Sequence, residues 1–199
     1  NNTFAYNFAT LGGAIYNDLN AILTIENSVF SDNNVITYGG GAIYKKGGTL
    51  DLNNCIFTNN TANFGGAISN SGGMDSTVIN CVFTNNTATN GAGGALNNYF
   101  TTQITVNNCT FTGNNATSSG GAINTNGAPL NVVNCTFISN SADHGRAILN
   151  CYQNNPLIIN NCIFNNNKAT NLGGAIENYL SITIITNSTI INNTATYGS

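Results

Sequence analysis

The chain has 199 residues, of which 41 % are apolar and only 6 % charged, with four basic residues against seven acidic ones for a net charge of −3. That apolar fraction excludes the low-hydrophobicity, high-charge signature of disorder. The weak negative field, with no basic cluster beyond Lys45-Lys46, excludes a nucleic-acid surface. Asparagine occurs 42 times, Gly 22 times, Pro twice and Trp never, and Ile, Val, Thr, Phe and Tyr are abundant, which points to an all-β chain. No apolar run reaches the length of a membrane-spanning helix, and the N-terminus carries no signal-peptide pattern.

Followed from the N-terminus, the chain is a succession of coils. Gly12-Gly13-Ala14-Ile15 is the first copy of a tetrapeptide that returns at Gly40, Gly65, Gly93, Gly120, Gly145 and Gly173, at steps of 25 to 28 residues. A second motif alternates with it, typified by Asn54-Cys55-Ile56-Phe57 followed by Asn60 and Ala62, with equivalents beginning at Asn27, Asn80, Asn108, Asn134, Asn161 and Asn187. Fixed-period self-similarity of this kind is the mark of a solenoid. Within a coil the period is two: Leu50 and Leu52 face inward, the chain bends at Asn53-Asn54, and Cys55 and Phe57 face inward again. Ile68 and Gly66 line a further strand, with Tyr44-type residues outward. The expected architecture is a right-handed, single-stranded parallel β-helix of about seven coils with three short strands per coil, in one domain over residues 1–199.

Because each coil repeats the same inward residues, parallel in-register stacking puts like on like at about 4.8 Å. Phe30, Phe57, Phe83, Phe111, Phe137 and Phe164 then form one interior column, ending in Ile190. Cys55, Cys81, Cys109, Cys135 and Cys162 form a second, with Ser28 and Ser188 at its ends. Asn33, Asn60, Asn86, Asn114, Asn140, Asn167 and Asn193 form a third, at a turn, where stacked side-chain amides bond coil to coil and the residue tolerates a left-handed backbone. The glycine pair makes a corner at which a Cβ would clash. A lone coil buries too little to offset the entropy of ordering it, so stability belongs to the stack.

The alternating Gly-Gly-Ala-Ile and Phe-x-x-Asn motifs, with Phe4-Ala5-Tyr6-Asn7 as a truncated eighth copy, resemble the repeat of chlamydial polymorphic outer-membrane proteins. They equally resemble the Asn-, Thr- and Ile-rich β-helix repeats of adhesin-like surface proteins of methanogenic archaea. The resemblance covers the whole chain and implies a secreted, surface-displayed passenger or stalk, extracellular, used in adhesion or as an envelope component. No membrane-barrel pattern follows the repeats within these residues, which leaves the anchoring route open, and composition leans to the archaeal type.

Neighbouring cysteines of the column have Cβ atoms near 4.8 Å apart, too far for a disulfide at about 3.8 Å, so they read as reduced, buried small hydrophobes. No C-x-x-C or His cluster supports a metal array, and no cofactor is expected. Cys151 lies outside the column, after the one disturbed tetrapeptide, Gly145-Arg146-Ala147-Ile148. Asp143, His144 and Arg146 make this the single place where acid, imidazole and base meet; it reads either as a locally varied surface turn or as a binding or catalytic point. Asp18, Asp32, Asp51, Asp75, Asp143, Glu26 and Glu177 are scattered over different coils and phases, with Asp32 and Asp143 in turn regions. A pectate-lyase-like carbohydrate enzyme needs several carboxylates on one strand face, so the chain reads as a non-enzyme without catalytic residues. An ice-binding solenoid needs a flat Thr array; Thr58, Thr84 and Thr112 begin one, which Ser31, Ile138, Asn165 and Ile191 break.

Outward positions such as Tyr16, Tyr44, Asn97 and Asn124 vary from coil to coil, as a contact face for host or neighbouring-cell glycans or proteins would. Of the N-x-S/T triplets, Asn59, Asn85, Asn115 and Asn192, at turns, are the glycosylation candidates, and Asn108 and Asn134 are disfavoured by their place at the bend beside an interior Cys. The chain begins inside a coil and stops at Tyr197-Gly198-Ser199, where a new tetrapeptide is due. That suggests a segment of a longer solenoid or an uncapped subunit that stacks on its own copies into filaments.

Overall fold

A computed structural model describes residues 1–100, 103–152 and 156–198; of the sequence features above, Ser199 lies outside the described residues. All elements among them are strands, arranged in four parallel sheets that run the length of the molecule. The Phe sheet has eight strands, from Thr3–Ala5 through Ile56–Thr58 to Thr189–Ile191. The Ala sheet, the Ile sheet and the Leu sheet have seven each, represented in the third coil by Thr61–Ala62, Ile68–Ser71 and Ser76–Ile79. Every coil therefore carries four strands rather than three. The additional one is two residues long in most coils, below the length at which an alternation of period two can show itself.

Registers between coils are like on like. Phe4, Phe30, Phe57, Phe83, Phe111, Phe137 and Phe164 are cross-strand partners in order, followed by Ile190. Their rings lie 4.6–4.9 Å apart with planes within 6°. All but Phe4 are wholly buried, and they pack against Leu50, Leu52, Val78, Val106, Leu130, Val132 and the Ile column in one continuous core. The six cysteines are free thiols. In the column each thiol donates to the carbonyl two residues before it, as Cys109 does to Asn107 at 3.3 Å, and the hydroxyls of Ser28 and Ser188 do the same at the ends.

Two asparagine columns do different work. In the buried one, Asn60 Nδ2 donates to Asn86 Oδ1 of the next coil at 3.0 Å and to Phe30 O of the previous coil at 3.0 Å. The same Asn86 oxygen also accepts the Asn60 backbone N–H at 3.1 Å. The pattern repeats from Asn33 to Asn167, so each amide spends both donors and both acceptor sites inside the stack. The left-handed residue is not this asparagine. It is the exposed or half-buried neighbour before it, Asp32, Asn59, Asn85, Gly113, Ser139, Asn166 or Asn192, together with the corner asparagines Asn27, Asn54, Asn80, Asn108, Asn134, Asn161 and Asn187. A buried ladder needs its φ in the range that aims the amide along the axis, so the strained turn falls on the residue beside it.

The second glycine of each tetrapeptide faces the next coil closely: a Cβ on Gly66 would stand 2.1 Å from Gly94 O, and one on Gly94 2.0 Å from Gly121 O. Lys45, one half of the sequence's only basic pair, is wholly buried at the corner between the Ile and Leu sheets. Its Nζ donates to Gly72 O at 2.7 Å, and burial pulls its pKa down to about 8 against the opposing pull of Asp75. Lys46 stays at the surface, 3.8 Å from Asp18.

Candidate functional site

Strand alternation on the Ile sheet sends one set of side chains inward and aims the other at a longitudinal depression of about 580 Å³. Its floor is the outward row Asn97, Asn124, Leu149 and Glu177, paired in register across four successive coils. Of the four outward positions expected from sequence, Asn97 and Asn124 do point away from the core. They are nevertheless only 5 % exposed, because two flanks rise over them. Asn124 Nδ2 donates to Asn97 Oδ1 at 2.8 Å, fixing both amides on the groove floor. Tyr16 and Tyr44 pair with each other at 5.6 Å further along the same row, beyond the lining of the groove.

One flank is the residue immediately before each Gly-Gly pair or its equivalent: Phe64, Ala92, Ser119, His144 and Leu172, joined by Tyr38, whose ring leans on Phe64 at 4.9 Å. The other is the last outward position of the Ile strands, Tyr99, Asn126, Cys151 and Tyr179, with Tyr152 set edge-on to Tyr179 at 5.4 Å. Sequence reading missed both flanks. Their one signal is variability: the position before the glycines is Leu11, Gly39, Phe64, Ala92, Ser119, His144 and Leu172, unlike any interior column.

The disturbed coil sits in the wall of this groove. Asp143 and His144 lie in a strand, Ser141–His144, rather than in a turn. This Ala-sheet strand and its partner Lys168–Leu172 are longer than their counterparts, and their register shifts between Ala142 and His144. Two residues separate Ala142 from Gly145 and three separate Ala169 from Gly173, and the register shift takes up that difference; Arg146 occupies the second glycine position of the same coil. The shift brings His144 Nδ1 to 3.2 Å from Glu177 Oε2 and His144 Nε2 to 3.7 Å from Asp143 Oδ2. Two carboxylates that are remote in sequence therefore flank one imidazole, against the expectation that all carboxylates are scattered. Asp143 is otherwise engaged by Thr170 Oγ1.

Burial sets the chemistry of this wall. Cys151, 5 % exposed, donates to Thr125 O at 3.5 Å, and burial together with the Glu177 charge pushes its thiol up to about 11, which keeps it protonated at neutral pH. No group of three or more metal-ligating side chains forms among the described residues. Arg146 is 2 % exposed, its Nε and Nη2 have no hydrogen-bond partner among the described residues, and burial pulls its pKa down to about 10 against Asp143. An unpaired buried guanidinium costs stability, and the other coils show what fits there instead. Arg146→Gly is expected to raise stability by about 1–2 kcal/mol after allowing for the extra chain entropy of glycine, read as a higher urea midpoint. A lower midpoint would mean the guanidinium is a net stabilising contact.

The remaining sequence candidates lie elsewhere. Thr58, Thr84 and Thr112 are in register on the Phe sheet, but the row is three long and runs into Ser31, Ile138, Asn165 and Ile191. Asn59, Asn85 and Asn192 are exposed at left-handed corners. Asn115 differs: it is in the strand Asn115–Ala116, half-buried, and its Oδ1 accepts from Ser141 Oγ at 2.7 Å. Asn108 and Asn134 are exposed rather than tucked beside the cysteines, with their amides engaged in an outer ladder, Asn108 Nδ2 to Asn80 Oδ1 at 2.8 Å.

Four stretches of the chain, residues 27–46, 54–71, 108–126 and 161–179, match the Chlamydia polymorphic membrane protein repeat, in agreement with the likeness drawn from the two motifs. Each stretch starts on the corner Asn or beside it and runs through the tetrapeptide, so the shared residues are those that build the Phe, Ala and Ile sheets. No curated protein and no solved structure gives a significant match to the chain.

Proposed function

We propose that this chain is a non-catalytic, structural or adhesive protein of a cell surface, in which the solenoid gives reach and the groove over the Ile sheet gives contact. The repeat it carries is one of membrane proteins, which supports a surface location. The observation that carries the reading is the division of labour between columns: interior positions repeat from coil to coil, whereas the groove lining changes at every coil. A stalk under selection only for folding has no need of a groove with varied polar and aromatic walls.

The competing reading, a pectate-lyase-like enzyme, calls for several carboxylates converging on the substrate path. The groove offers Glu177 alone, and that carboxylate is committed to His144. Two measurements test the proposal. Antibody raised against the chain is expected to label intact source cells, and incubation with polygalacturonate or other acidic glycans is expected to release no reducing ends. Turnover that disappears in Glu177→Gln would overturn the non-catalytic assignment, and labelling confined to permeabilised cells would overturn the surface assignment.

A further inference from the structure

We infer that the groove holds a linear, uncharged glycan chain lying along the solenoid axis; the inference rests on the reading of this groove as the contact face. The first ground is shape. The floor row Asn97, Asn124, Leu149 and Glu177 advances one coil at a time, about 4.8 Å per step, so the groove is an elongated track of about 15 Å rather than a pit. A track with a regular step suits a ligand that is itself a repeat.

The second ground is the chemistry of the lining. Hydroxyl-rich rings present polar edges and apolar C–H faces, and need amides for the one and aromatic faces for the other. The floor supplies amides: Asn124 spends one donor and Asn97 one acceptor on each other, and both retain further hydrogen-bonding capacity, with Asn126, Ser118 and Ser119 beside them. The walls supply aromatics: Tyr99 and Tyr179 stand 41 % and 49 % exposed on one side, with Phe64 on the other. Tyrosines of this kind give large contact area at low entropic cost.

The third ground is what the groove lacks. Its lining contains neither Lys nor Arg, and Glu177 is its one carboxylate, so a polyanion such as a nucleic acid or a sulfated or uronic-acid glycan meets no countercharge. An extended peptide recognised by strand addition needs a free sheet edge, whereas the floor here is the face of a sheet whose strands are paired coil to coil. An uncharged carbohydrate chain satisfies shape, polarity and charge together.

Calorimetric titration of the whole chain with cellohexaose and chitohexaose tests this, with cellobiose as the short control and polygalacturonate and heparin as charged controls. At least one neutral hexamer is expected to bind, and the disaccharide to bind at least tenfold more weakly because it occupies only part of the track. Tyr99→Ala and Tyr179→Ala are each expected to weaken hexamer binding about three- to tenfold. Val82→Ala, on the exposed face of the Phe sheet, is expected to leave it unchanged. Absence of binding to both neutral hexamers, preference for heparin or polygalacturonate, or binding indifferent to both tyrosines would each overturn the glycan assignment, leaving the surface role standing. Cleavage of a bound hexamer would instead overturn the non-catalytic reading while keeping the occupant.

Discussion

Asn114→Ala is expected to cost about 3–9 kcal/mol, enough to unfold much of a protein of ordinary stability. The side chain of Asn114 donates to Phe83 O and Asn140 Oδ1, both at 3.0 Å, and its Oδ1 accepts the Asn86 backbone N–H and Asn86 Nδ2, again both at 3.0 Å. Asn140 Oδ1 keeps its bond from the Asn114 backbone at 3.0 Å after truncation. The other three groups lose a partner in a wholly buried site, and each orphan costs about 1–3 kcal/mol. Urea denaturation followed by circular dichroism measures the loss. Asn193→Ala, at the half-buried end of the ladder, is expected to cost less than half as much because solvent reaches the vacated partners. Equal costs at the two positions would show that the ladder contributes only local turn geometry.

The interior was legible in the sequence for a physical reason. Parallel in-register stacking forces position n of one coil onto position n of the next, so a column that must be filled by one kind of side chain appears as a periodic letter. The Phe, Cys and Asn columns are such letters, and alternation around Leu50, Leu52, Cys55 and Phe57 tells which face is inside. What escaped was what has no such letter. Thr61–Ala62 is too short to alternate, and the left-handed corner accepts Asp32, Gly113 and Ser139 as readily as asparagine, so it blurs into the ladder beside it. Lys45 was unreadable because a buried cation satisfied by the carbonyls of Gly72 and Met74 leaves no mark on its own neighbours in sequence.

The groove was hidden by its construction. The fourth to seventh coils contribute separated positions to it, as Ser119, Asn124 and Asn126 do in the fifth, and apart from Asn97 and Asn124 on the floor their rows do not repeat. His144 meets Glu177 across 33 residues because His144 pairs with Leu172 in the next coil and the chain then passes the corner to reach the floor. The substitution at Arg146 was visible as a broken tetrapeptide. The register shift beside it was legible only as a count, two residues between Ala142 and Gly145 against three between Ala169 and Gly173.

Moving from pH 8 to pH 10.5 is expected to lower stability, the net of opposed groups of buried side chains. Thiol–thiol hydrogen bonding pulls the alternating Cys81 and Cys135 down, which adds stability as the pH rises to about 9. The same bonding followed by burial pushes Cys55, Cys109 and Cys162 well up, and burial with the Glu177 charge does the same to Cys151. All four are at most 5 % exposed. An unfolded chain releases these protons near pH 9 while the folded one keeps them, so their stabilising contribution is complete below pH 9 and declines above it. At pH 10.5 each has lost about 2 kcal/mol. Lys45 works in the other direction: the folded chain gives up its proton at about pH 8, the unfolded one at 10.5, so between those values the unfolded state binds more protons and stability rises with pH, by about 3 kcal/mol. Urea midpoints across this range check the net. Cys109→Ser, the residue already in the column at Ser28 and Ser188, is expected to reduce the alkaline loss by about 2 kcal/mol. Lys45→Met is expected to lose more stability than the parent chain on the way up, by about 3 kcal/mol, because an opposing group is gone. A profile that stays flat in the parent chain would mean that Cys55, Cys109, Cys151 and Cys162 are not held protonated in the fold.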